Sequence, residues 1–299
     1  MGSLGDVLQG PVSPGPNLDR EKQLLDEFLI NNAKRYDFSY HGAGVDYARV
    51  FTLLVKERFL SPANWERLSQ SECRLRVLQC MRVLMRDEVH RNSFVEMGAV
   101  GTLISLCIEL AKEHFAQPGT NFTCEMLVET LSILKRFAAL PELGLCASDA
   151  PNLADDLYRT LCILLATREA LVLQCVLVAM YQFVQVKDHM VGLGAGPSCA
   201  ETLLRILTDY EPQFKKLSAE LLVLLLESPR FFAEVVAQDG VSVLLSLVHS
   251  DDAQLPVPLL AALHCLAKES ACAKQVRQLG GINVLLSVLG VNSQYSTPP

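Results

Sequence analysis

Three stretches of this chain read almost alike: "FVEMGAVGTLISLC" at 94–107, "VAQDGVSVLLSLVHS" at 236–250 and "VRQLGGINVLLSVL" at 276–289. Each is an apolar helix end, a glycine and then a dense aliphatic run. A phrase that recurs at near-constant spacing marks stacked copies of one supersecondary unit, none of which buries its apolar face alone. With the glycine as ruler, breaks fall at Gly98, Gly194, Gly240 and Gly281, the last three separated by 46 and 41 residues. The 96 residues between Gly98 and Gly194 leave room for one more copy, broken near "CASDAPN" at 146–152. Periods of roughly 40–47 residues belong to solenoids built from two or three helices per repeat.

The grammar inside each period agrees. A long apolar helix comes first: "RLRVLQCMRVLMR", "MLVETLSILKRFAA", "LVLQCVLVAMYQFV", "FKKLSAELLVLLLE" and "PLLAALHCLAKE". A short helix follows it ("HRNSFVEM", "SPRFFAEVVAQ", "ACAKQVRQL"), then the glycine, then a second apolar helix. Glycine suits a tight helix-to-helix corner because it takes positive φ without steric cost. Departures occur in the second repeat, where "KEHFAQPGTNFT" reads as an inserted loop and "CASDAPN" lacks the glycine, and at "GLGAGP" in the third. Ahead of the repeats, "DREKQLLDEFLINNAKRY" and "VDYARVFTLLVKERFL" read as amphipathic helices separated by "HGAG" at 41–44. Ser61-Pro62 then opens a short helix that carries Trp65. The expectation is an all-α, right-handed solenoid of about five repeats over 71–290. A disordered stretch at 1–18 and capping helices at 19–70 precede it, and a tail at 291–299 follows.

Composition narrows the function classes. A net charge of −7 argues against nucleic acid as a partner, since phosphate contacts need surplus Lys and Arg. The apolar text comes closest to a membrane span at "LYRTLCILLATREALVLQCVLVAM", which Arg168 and Glu169 interrupt; it reads as two buried core helices. The first residues lack the basic and apolar regions of a secretory signal, and Asp6 stands where a myristoylation signal wants Ser or Thr. The 10 cysteines form no C-x-x-C pair and read as reduced core residues, which sets a cytoplasmic location as the expectation. No cofactor or metal is expected, because neither a Walker lysine, H-E-x-x-H nor G-x-S-x-G occurs and the six His show no ligand spacing. "GLGAG" at 192–196 follows a helix rather than a strand and reads as a corner, not a dinucleotide loop.

One polar feature stands apart. In "RLRVLQCMRVLMRDE", Gln79, Arg82 and Arg86 recur at helical spacing as a polar stripe on an otherwise apolar helix, and Arg74 adds charge nearby. Guanidinium forks suit carboxylates and phosphates, so these four residues are the candidate partner-binding set for an acidic or phosphorylated protein segment.

Two stretches carry a specific resemblance: "VFTLLVKERFLSPANWERLSQSECRLRVLQCMRVLMRDE" at 50–88 and "FKKLSAELLVLLLESPRFFAEVVAQDGVSVLLSLVHSD" at 214–251. They resemble the armadillo region that precedes the kinase domain in a long NIMA-related Ser/Thr protein kinase, over roughly residues 45–290. The resemblance implies an armadillo fold and a protein-interaction role beside a kinase, whose catalytic domain is one candidate partner. The glycine-rich loop, V-A-I-K lysine, H-R-D loop and D-F-G are missing, so no catalytic residue carries over. Nor do the long helices bear the Asn ladder of importin- and catenin-type grooves. The expected role is a non-catalytic scaffold; the resemblance adds a cilium or nucleus as possible sites of action. The alternative is a free-standing adaptor that dimerises or docks through its last helix, where Ile282, Val284, Leu285, Leu286, Val288 and Leu289 are apolar nearly all round. That face suggests a fragment or short isoform with a covering element elsewhere.

Overall fold

The protein is described from a computed structural model. It describes residues 4–12, 16–38, 46–68, 72–117, 122–140, 143, 145, 152–248 and 255–288. Every described element is helical, and the chain divides into two compact units, 1–157 and 158–299. The expected breaks at 41–44 and 146–151 and the tail at 291–299 lie outside the described residues.

In the first unit, α1 (Leu4–Leu8), α2 (Pro16–Asn32), α3 (Tyr47–Leu53) and α4 (Pro62–Arg67) precede the repeats. Between α3 and α4 the backbone widens into a π-helical turn, Leu54–Phe59. Asp46 caps α3 by accepting from the Arg49 amide at 3.0 Å, and Pro62 opens α4 after Ser61. Then come α5 (Cys73–Leu84), α6 (Glu88–Glu96), α7 (Ala99–Ala116) and α8 (Thr123–Leu134), the last prolonged by a 3₁₀ turn, Lys135–Phe137. Lys112–Ala116, read from sequence as part of an inserted loop, continue α7. The long helices α2, α5 and α8 pack side by side in that order. Under α6 the core is aromatic: His90 stacks on Phe51 at 4.8 Å, and Phe94 stacks on Phe137 at 5.5 Å.

The second unit repeats this grammar. α9 (Leu153–Leu164) straddles the division, and α10 (Ala170–Phe183) follows. The next three-helix sets are α11 (Lys187–Gly194), α12 (Cys199–Asp209) and α13 (Pro212–Leu225), then α14 (Pro229–Ala237), α15 (Gly240–Leu247) and α16 (Pro256–Leu266). α17 (Ser270–Gln278) and α18 (Gly281–Val288) complete it. α10, α13 and α16 form one packed row, and α12 packs on α15 in a second. Aliphatic faces meet along and between these rows, and Leu173, Val176, Leu221, Leu222, Leu259 and Leu266 are all buried. "GLGAG" ends α11, and its glycines admit Tyr158, Ser228 and Cys162 at close range. On α18 Ile282, Leu286 and Val288 are exposed.

The corners obey a subtler rule than the sequence reading assumed. Positive φ falls on the residue just before the second helix: Gly98, Ser198, Asp239 and Gly280. Gly240 and Gly281 instead stand inside the helix start. A Cβ on Gly240 would lie 2.4 Å from Val235 Cγ1 and 2.8 Å from the Val235 carbonyl. On Gly281 it would lie 2.7 Å from both equivalent Val276 atoms. These two glycines let the short helix cross the second helix closely, while Gly280 serves the backbone turn and has open space around it.

The described part of the stretch expected to be disordered is instead held by Arg58. This side chain is fully buried, and its guanidinium grips Glu21 with two bonds, 2.7 and 3.0 Å. Its remaining donors reach the carbonyls of Val7, Leu8 and Gly10. The Val12 amide donates to Asn64 Oδ1 at 3.1 Å, and Leu8 and Val12 are buried. Composition pointed to disorder because the anchor is backbone, which carries no side-chain signature.

Replacing Arg58 with Met is expected to lose about 3–5 kcal/mol, because Glu21 is left buried and unpaired; the double Arg58→Met/Glu21→Met chain regains most of it. Denaturant unfolding of the three chains checks this. At the corners, Gly281→Ala and Gly240→Ala are expected to cost about 1–3 kcal/mol through overpacking. Gly280→Asn stays within about 1 kcal/mol, because Asn tolerates the left-handed region. Thermal melts of the three variants separate the two glycine roles.

Candidate functional site

α5 is amphipathic by construction. Cys73, Leu75, Val77, Leu78, Cys80, Met81, Val83 and Leu84 are buried, while Arg74, Arg76, Gln79 and Arg82 are half-buried along the remaining face. Its flanks are α2 and α8. Acidic side chains on those neighbours meet the stripe: Asp26 on α2 pairs with Arg76 at 2.6 Å, and Glu129 on α8 pairs with Arg82. The row of long helices is thus stitched by ion pairs over an aliphatic core.

The four residues singled out from sequence separate into different neighbourhoods. Arg74 lies over the Trp65 ring, 5.1 Å from its centroid, donates to the Trp65 carbonyl and pairs with Glu66 at 3.2 Å. Burial lowers its pKa, against the pull of Glu66, Glu109 and Glu113. Gln79 accepts from Arg76 at 3.0 Å. Arg82 faces α8. Arg86, just past the helix, donates from Nη1 to the carbonyls of Ala33 and Arg35 at 2.8 and 2.9 Å and covers the Tyr36 ring. Of the four, Arg82 and Arg86 share a neighbour, since both act on the charge of Arg136 in the turn after α8.

That group has two members the sequence reading missed. Arg91 on α6 donates to the carbonyls of Met85 and Arg86, at 3.1 and 2.8 Å. Arg136, in the turn that prolongs α8, donates to the same Met85 carbonyl at 2.6 Å. Two guanidinium groups thus share one carbonyl at the C-terminal end of α5, the pole of a helix that favours cations. Burial first, and then the nearby charges of Arg91, Arg82 and Arg86, lower the Arg136 pKa to about 10. Its Nε is buried without a hydrogen-bond partner. Among the described residues Glu129 is the one carboxylate paired with the group, through Arg82; Arg86, Arg91 and Arg136 bond to carbonyls. Asp87 is nearby in sequence, but its two oxygens accept from the amides of Val89 and Phe38. The only sequence signal for Arg136 was a cation inside the apolar run "SILKRFAA".

The buried thiols of Cys80, Cys107 and Cys199 are held in the neutral form. Cys80 and Cys107 are fully buried, and burial raises both pKa values, that of Cys107 to about 12. Cys199 is raised by its hydrogen bond with Cys162 and by burial. Among the described residues no single helix is long and apolar enough to cross a membrane.

No family model matches the chain. It is 30% identical over 219 residues to the Homo sapiens serine/threonine-protein kinase Nek10, and 29% identical over 217 residues to the Mus musculus protein. Each match covers 73% of this chain, which spans 18% and 19% of those relatives' length. The designed armadillo repeat protein YIII(Dq)4CqI superposes over 88% of this chain and all of its own length, with a TM-score of 0.60 at 14% identity. A related design, YIII(Dq.V1)4CPAF in complex with the peptide (KR)4, gives 0.58 over 89% of this chain and all of its own, at 12% identity. The chain is an all-α solenoid of the armadillo-repeat type, related over nearly three quarters of its length to the armadillo region, not the kinase domain, of Nek10.

Proposed function

We propose that this chain is a non-catalytic protein-interaction scaffold that acts in the setting of a NIMA-related Ser/Thr kinase, and that the α5–α8 face receives an acidic segment of a partner protein. The observation that carries the reading is the gathering of Arg82, Arg86, Arg91 and Arg136 against a single paired carboxylate. Half-buried guanidinium groups fixed by carbonyls are preorganised: little side-chain freedom is left to lose when an anion arrives. Support also comes from the designed relative that holds a peptide of Lys and Arg, since a guest of a face this rich in arginine must carry the opposite charge. The similarity to Nek10 supports a setting beside a kinase, whose own catalytic domain is one candidate guest.

The test uses a fluorescein-labelled Glu/Asp-rich peptide with a central serine, titrated with the full chain and followed by anisotropy. Binding is expected to weaken steeply with added salt and to fall about tenfold or more in the Arg82→Glu/Arg86→Glu chain, because two attractive charges become repulsive. An affinity indifferent to both changes discards the reading.

A further inference from the structure

Arg91 on α6 and Arg136 in the turn after α8 both reach the end of α5, while Arg86, just past α5, sends its guanidinium to the carbonyls past α2 and still acts on the charge of Arg136. Arg136 and Arg91 bond to the same Met85 carbonyl, so their Nη1 atoms lie no farther apart than those two bonds laid end to end. Arg91 also holds the Arg86 carbonyl, which draws the Arg86 backbone into the same corner. Each guanidinium carries five N–H donors, and the bonds to carbonyls occupy Nη1 in all three. The cluster therefore has donors in surplus, three positive charges and no carboxylate paired to any of the three among the described residues. A surface arginine that serves only to cap a helix end does not need two more beside it.

Building upon the scaffold reading above, we infer that Arg86, Arg91 and Arg136 form a phosphate-binding site for a phosphorylated serine or threonine in the partner segment. Three observations favour a phosphate over a plain carboxylate. A phosphomonoester brings close to two negative charges and three acceptor oxygens, which matches two guanidinium forks on one carbonyl with a third cation nearby better than the single charge of Asp or Glu. Arg82 already has Glu129 as its carboxylate, so the neighbouring position for a singly charged anion is filled from within the fold. The buried Arg136 Nε lacks an acceptor, and a tetrahedral anion at this corner would offer one. A nucleic acid would supply the same oxygens, but the net charge of −7 opposes a polyanion far more than a short peptide. In this arrangement Arg86, Arg91 and Arg136 meet the phosphate of the guest.

The experiment compares the Glu/Asp-rich peptide with its phosphoserine twin, in anisotropy titrations with the full chain, and uses inorganic phosphate as competitor. The phosphopeptide is expected to bind about tenfold more tightly, the return of one or two charge-assisted hydrogen bonds. Arg136→Gln and Arg91→Gln are expected to bring the ratio of the two affinities close to one. Arg136→Lys, which keeps the charge but loses the fork, is expected to retain part of it, and circular dichroism checks that each variant folds. Equal affinity of wild-type chain for the two peptides overturns the phosphate site while leaving the scaffold reading intact. Failure of both peptides to bind overturns that reading and the site with it. Competition by inorganic phosphate as strong, mole for mole, as by the phosphopeptide overturns the assignment of a peptide guest in favour of a free anion.

Discussion

Everything in this chain rests on aliphatic helix faces that can be buried only against a neighbour. A helix such as α10 or α13 is apolar over so much of its circumference that it cannot stand beside solvent on two sides. Burying a Leu or Val side chain is worth about 1.5–3 kcal/mol, and each long helix places several such side chains between its neighbours. Stacking in rows satisfies this requirement without a closed globular core. It also fixes which residues remain for function: polar side chains on the third helices and the short segments that join them.

The same constraint explains how the polar groups are arranged. Where rows pack, α2 against α5 and α5 against α8, charges at the seam must be paired or reach solvent, and Arg76–Asp26 and Arg82–Glu129 are such pairs. At helix ends the unsatisfied carbonyls of α2 and α5 call for donors, and arginine supplies more donors than the carbonyls use. A cap made of several arginines from different elements thereby becomes an anion cradle. The buried Arg58–Glu21 pair applies the same economy inside the fold, where surplus guanidinium donors tie down backbone carbonyls at the start of the chain.

Much of this was legible in the sequence, because the apolar period repeats and because the short helix, turn and second helix recur as a phrase. α5, α8, α10, α13 and α16 fall where the aliphatic runs predict them. What escaped the sequence depended on contacts between distant segments. The left-handed residue at the fourth corner is Asp239, not Gly240, because the glycine answers a steric contact with Val235 that no local pattern announces. Residues 4–12 looked like disordered text, since their anchor is Arg58 acting on main-chain oxygens. The candidate site was half visible. Arg82 and Arg86 stood in one helical stripe, but Arg91 and Arg136 join them only through the packing of α5, α6 and α8, and Arg74 leaves the group to lie on Trp65.

The most direct test of the account is hydrogen exchange of the full chain with and without a saturating acidic peptide, read by mass spectrometry at peptide resolution. The account predicts slower exchange at the end of α5, in α6 and at the Lys135–Phe137 turn that follows α8 when the peptide is bound, with α14 to α18 unchanged. Protection confined to the second unit, or absent from both while the peptide is bound, would contradict the assignment of the guest to the arginine face.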